Sequence, residues 1–169
     1  MASQLSDIIT ALAGMTVTVS ASTAYNGDKT PQALYLSTLP NHAPDAKLPA
    51  RLIRMMRDTD LGAQAYQIVF GNESLVRVTW RVYDVLLWRT LSQGAGIGSH
   101  EADLVKYCAA YVEALKALPA PTTRARVLNL TMIVGEINFP LGSDYWYAGV
   151  TAAVDVEERL TAGSASAWA

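Results

Sequence analysis

Val76-Arg77-Val78-Thr79-Trp80-Arg81-Val82-Tyr83-Asp84-Val85-Leu86-Leu87-Trp88 alternates with the two-residue period of a pleated strand. Val76, Val78, Trp80 and Val82 fall on one face; Arg77, Thr79, Arg81 and Tyr83 fall on the other. A second stretch, Trp146 to Glu158, repeats the pattern with Trp146, Ala148, Val150, Ala152, Val154 and Val156 on its apolar face. Strands of globular domains usually run about 5–6 residues. Two runs this much longer are expected to project beyond a compact sheet or to pair with another copy, which points to assembly rather than to a pocket.

Between the two runs lies an amphipathic helix. Ser99 is the expected N-cap, Glu101 and Asp103 suit the positive end of the helix dipole, and Leu104, Cys108, Tyr111, Leu115 and Leu118 form a core stripe that Pro119 and Pro121 end. Upstream, Leu5, Ile8, Ile9 and Leu12 mark a short N-terminal helix ending near Gly14, and Thr16 to Ser22 alternates as a first strand. Asn26 to Lys47 reads as a long proline-rich loop with a short extended piece around Ala33 to Leu36. Pro49 to Met56 and Ala65 to Phe70 read as short strands, and Val127 to Phe139 forms a hairpin with the Trp146 strand. The expected fold class is therefore α+β: a mostly antiparallel sheet, a central amphipathic helix packed on one face, and a short N-terminal helix. Residues 1–160 are expected to form a single domain, with 161–169 as a flexible C-terminal tail.

Thirteen basic and 15 acidic residues give a net charge of −2, which argues against broad, non-specific nucleic-acid binding. A single cysteine, Cys108, excludes an internal disulfide and reads as a buried small hydrophobe. The N-terminus lacks the basic and apolar regions of a secretory signal, and no run approaches the roughly 18–20 apolar residues of a membrane span. A soluble protein made in the cytoplasm, with no membrane partner, is expected.

Catalytic chemistry has few candidates. His42 and His100 stand far apart, and neither has an Asp/Glu cluster at ligand spacing, so no metal and no catalytic residue is assigned. Neither a nucleophile elbow nor a Walker A sequence is present. Gly94-Ala95-Gly96-Ile97-Gly98, between a strand and a helix, has the composition of a phosphate-cradling turn but not the dinucleotide spacing. A nucleotide-binding enzyme using Gly94–Gly98 is the third-ranked reading, a flexible hinge the simpler one, and no cofactor is expected.

Three segments carry a resemblance: Leu48-Pro49-Ala50-Arg51-Leu52-Ile53, the strand Val78-Thr79-Trp80-Arg81-Val82-Tyr83-Asp84-Val85, and, after the helix, Tyr145-Trp146-Tyr147-Ala148-Gly149-Val150-Thr151. In element order and residue texture, over roughly residues 2–160, the chain resembles the tail terminator (tail completion) proteins of long-tailed bacteriophages. The resemblance implies a non-enzymatic virion protein, a homo-oligomeric ring, commonly a hexamer, that caps the tail tube, ends its polymerisation and offers a surface to the head–tail connector and neck proteins. A head-completion or neck adaptor is the nearest alternative. Interface candidates are Arg51, Arg54 and Arg57, which also read as ordinary solvated strand charges open to a neighbouring subunit, the tube or passing DNA, together with Asp84, Trp88 and Asp144. The Asn26–Lys47 loop is expected to contact neighbouring subunits or the tube.

Overall fold

The structure is a computed structural model that describes residues 4–34, 47–55, 66–70, 75–92, 96–139 and 143–161. Helix α1 (Leu5–Ala13) leads into a small two-stranded sheet, β1 (Val19–Ser22) and β2 (Gly27–Lys29). The main sheet comprises β3 (Gln32–Leu34), β4 (Ala50–Met55), β5 (Tyr66–Phe70), β6 (Leu75–Leu91), β7 (Ala125–Asn138) and β8 (Trp146–Thr161), with helix α2 (Glu101–Lys116) between β6 and β7. The order is β3-β4-β6-β8-β7, with β5 also on β6.

β6 and β8 form the spine. They pair antiparallel from Leu75↔Thr161 to Leu91↔Trp146, interrupted by an irregularity between Leu87 and Arg89. Along its other edge β6 carries two strands end to end, β5 on Val76 to Trp80 and β4 on Val82 to Leu87. The length of β6 thus serves two shorter partners within the same subunit. β7 is antiparallel to β8, so β6 and β7 run parallel with β8 inserted between them, a split β-α-β unit whose crossover is α2. The fold is α+β with a mostly antiparallel sheet and a helix packed on one face, as the alternation and the helical stripe imply. The exception is β3, which is parallel to β4 with Gln32 opposite Ala50.

The alternating faces bury two apolar clusters. Val82, Leu86 and Trp88 of β6 and Ala148, Val150, Ala152, Val154 and Val156 of β8 meet Leu104, Tyr107, Tyr111 and Leu115 of α2 and Ile8 and Leu12 of α1. Ala50, Leu52, Tyr83, Val85, Leu87 and Tyr147 cluster on the far face of the sheet, away from α2. The C-terminal half of the β6 alternation is therefore apolar on both faces, the mark of a strand buried on both sides.

Several boundaries differ from expectation. α2 begins one residue later, with His100 as N-cap and no side-chain cap bond, because the His100 N–H donates to the Ile97 carbonyl at 2.7 Å and closes a turn first. β1 starts at Val19 rather than Thr16. The expected loop contains β2 and β3, and Gln32 N–H reaches the Pro49 carbonyl at 3.1 Å, so its start belongs to the sheet. Its remainder, 35–46, lies outside the described residues, as does 162–169 of the expected tail; Thr161 closes the β8 ladder.

Candidate functional site

Arg51 on β4 and Asp84 on β6 point into the helix layer and are each 1% exposed. Arg51 Nε donates to Asp84 Oδ2 at 3.0 Å, and Nη2 makes a shorter contact with the same oxygen. The guanidinium also donates through Nη1 to the Met15 carbonyl at 2.7 Å and through Nη2 to the Leu12 carbonyl at 3.0 Å. Leu12 belongs to the last turn of α1, where its carbonyl also accepts from Met15 N–H at 3.3 Å and a cation complements the helix dipole. Tyr111 lies under the guanidinium at 5.7 Å, and burial, followed by the Asp84 charge, pushes the Tyr111 and Tyr107 phenols well above their ordinary value. Burial also raises the Asp84 carboxyl, with the Arg51 charge acting in the opposite sense. These groups pin α1 to the sheet; the expectation of a solvated Arg51 charge is corrected, because strand alternation turned it inward together with Ile53.

A second polar node joins α2 to the small sheet. Asp103, fully buried, accepts from Ser22 Oγ at 2.9 Å, Ala24 N–H at 3.0 Å and Thr23 N–H at 3.2 Å. Burial alone would raise its pKa, and these donors outweigh it, so the carboxyl lies below its usual range. The same turn presents Tyr25, whose ring stands edge-on to Trp88 at 4.9 Å and whose hydroxyl donates to the Trp88 carbonyl. The Arg89 guanidinium lies over that ring at 4.2 Å and the Lys29 ammonium at 4.9 Å. His100 has a buried Nδ1 without a hydrogen-bond partner among the described residues, and burial together with Arg89 lowers its pKa.

The outer surface of the sheet differs in character. Among the described residues no strand pairs with the outer edge of β7. Leu128, in the irregularity between Val127 and Asn129, is 46% exposed and Ile133 is 61% exposed. Next to this edge the far face becomes charged. Arg81 is held by Asp155 through Nε at 2.6 Å and Nη2 at 2.9 Å, while Glu157 Oε1 meets Arg126 at 3.1 Å and Arg159 at 3.5 Å. Arg77 stands directly opposite Arg159 across the β6–β8 ladder.

The sequence-derived interface candidates separate accordingly. Arg51, Asp84 and Trp88 are interior, Trp88 fully so, because a strand carrying apolar residues on both faces offers these side chains no solvent side. Asp144, in the β7–β8 turn, is exposed. The Arg54 backbone lies in β4 opposite Tyr83, and Arg57 lies outside the described residues, as do Gly94 and Ala95. Of that glycine-rich segment, Gly96 takes a positive φ of 72° on entry to α2. Sequence reading missed Asp103 as a buried acceptor and Glu158 as a fully buried carboxylate held by Trp80 Nε1 at 2.8 Å and Gln4 N–H at 2.6 Å. The signal for Glu158 was present, since it continues the apolar face of β8 at the two-residue period. Among the described residues no three His, Cys, Asp or Glu side chains are grouped to hold a metal ion, and no helix is long and apolar enough to cross a membrane. No protein-family model matches the chain, and a search of curated proteins finds no match.

Proposed function

We propose that this chain is a virion structural protein that assembles as a ring, of the tail-terminator kind, capping the tail tube and presenting a surface for head–tail joining. The observation that carries this reading is the β7 edge: a 14-residue strand without a paired outer neighbour among the described residues, bearing exposed Leu128 and Ile133. Long exposed apolar edges are templates for pairing with another chain unless covered, and strand addition is a recurring mode of protein association. A head-to-tail ring needs two different complementary surfaces on each subunit. β7 supplies one; the opposite end of the sheet, where β3 is only three residues long, is a distinct surface. The buried Arg51–Asp84 pair holds α1 on the sheet and buried Asp103 ties α2 to the end of β1, which fits a scaffold acting by occupancy.

The test is to add purified protein to polymerised tail tubes of the same virus and image the ends by electron microscopy. Rings at tube ends that stop elongation are expected, and Leu128→Lys with Ile133→Lys should abolish them while leaving the circular dichroism spectrum unchanged. Tubes that elongate normally in the presence of the protein would exclude termination. Binding at the head connector instead of tube ends would assign it to the neck.

A further inference from the structure

The arginines on the far face are arranged in a way that folding alone does not favour. Arg77 on β6 and Arg159 on β8 are direct cross-strand partners, and the Arg159 N–H donates to the Arg124 carbonyl at 2.9 Å, which continues the same row to the start of β7. Like charges directly opposite on a sheet are destabilising. One step along, Thr79 pairs with Glu157 and Glu157 with Arg126; a further step along, Arg81 pairs with Asp155. Five arginines therefore share this end of the face with two carboxylates in a protein whose net charge is −2.

The two carboxylates are already engaged. Asp155 is taken by Arg81 with both oxygens, and Glu157, 7% exposed, is shared by Arg126 and Arg159. Arg77 is exposed and makes no ion pair among the described residues. Thr123, Arg124, Arg126, Glu157 and Arg159 line one open concavity of about 270 Å³. The cations here are all arginine, whose planar fork matches the oxygens of a tetrahedral oxyanion with paired hydrogen bonds.

We propose that the cross-strand Arg77–Arg159 pair is a binding site for phosphate groups, with Arg126 at its edge. The surplus positive charge accommodates a phosphate dianion, and a bound phosphate relieves the Arg77–Arg159 repulsion. Free phosphate and the backbone of a nucleic acid share this chemistry, and the experiment separates them. This site does not rest on the ring reading, since its two central arginines lie on β6 and β8.

Titrations of the full chain with inorganic phosphate, and with a fluorescent single-stranded oligonucleotide followed by anisotropy, are carried out at fixed ionic strength with chloride as control. Saturable phosphate binding with a raised melting temperature is expected, and the double variant Arg77→Gln, Arg159→Gln should weaken it at least tenfold. The single variant Arg77→Gln should melt at the same temperature as the parent or higher without phosphate, because Arg77 makes no ion pair among the described residues and its loss ends the like-charge opposition to Arg159; a merely structural role for Arg77 predicts a lower one. Oligonucleotide binding much tighter than phosphate, and falling steeply with salt, would assign the source as a nucleic acid; equal affinities per phosphate would assign free phosphate. No saturable binding of either ligand, binding unaffected by the double variant, or preference for a poly-glutamate peptide over both would overturn the proposal.

Discussion

Arg51 holds a full charge at 1% exposure with donors committed to Asp84 and to two backbone carbonyls. Removing one member of a buried ion pair leaves an uncompensated charge, typically costing about 3–5 kcal/mol. Arg51→Ala is expected to destabilise by that amount in urea titration, and the apolar double variant Arg51→Met, Asp84→Leu should recover much of the loss. Equal losses for the single and double variants would show that the α1 carbonyl contacts, and not the pair, carry the effect. Asp103 makes a different prediction because its donors depress its pKa. A carboxylate lowered in the folded state contributes stability that is fully present above its unfolded pKa, about 3.9, and is lost as pH falls through the folded value. Asp103→Asn should therefore be less stable at pH 7, and its stability should fall less between pH 5 and pH 2 than that of the parent. Parallel acid limbs for the two proteins would rule this out.

β8 depends on close approach at one point. A Cβ added to Gly149 would lie 2.1 Å from the Leu86 carbonyl oxygen and 2.5 Å from Ile137 Cδ1. The first of these neighbours is backbone and cannot rotate away. Gly149 pairs with Leu87 beside the irregularity that ends at Arg89, where the strands crowd as the ladder shifts. Gly149→Ala should cost about 3 kcal/mol, the upper end for overpacking a well-filled core, and lower the thermal midpoint accordingly. Gly135, across β7 from it, meets nothing within 4 Å of an added Cβ. Gly135→Ala should be nearly neutral, and similar melting temperatures for the two variants would mean that the β6–β8 approach is looser than described.

Assembly through the β7 edge couples stability to concentration, because a partner that binds only the folded chain raises its apparent melting temperature by mass action. Under the ring reading, raising the protein concentration a hundredfold should raise the melting temperature of the parent, while the Leu128→Lys, Ile133→Lys variant should melt at one temperature throughout. A concentration-independent parent would remove β7 as a self-association edge in free solution and leave the tube end as the only place where a ring can form.

Elements with a local signal are legible in the chain alone. The alternation of Val76 to Val82 and of Ala148 to Val156 specified two spine strands and their helix-facing sides, and the Leu104–Tyr111–Leu115 stripe specified the helix that covers them, because periodicity maps directly onto a buried face. The role of each charge depends instead on how the strands pair. Arg51 and Asp84 look like ordinary strand polarity until β4 is placed beside β6, which sets them one step apart diagonally on a buried face. Asp103 resembles a dipole-compensating acid until the end of β1 and the turn after it bring four donors to it, from Ser22, Thr23 and Ala24. Arg77 and Arg159 are 82 residues apart, and their opposition exists only in the β6–β8 register. A charge is costly or harmless according to its neighbours and its access to water, and in this fold both are set by cross-strand partners remote in the chain.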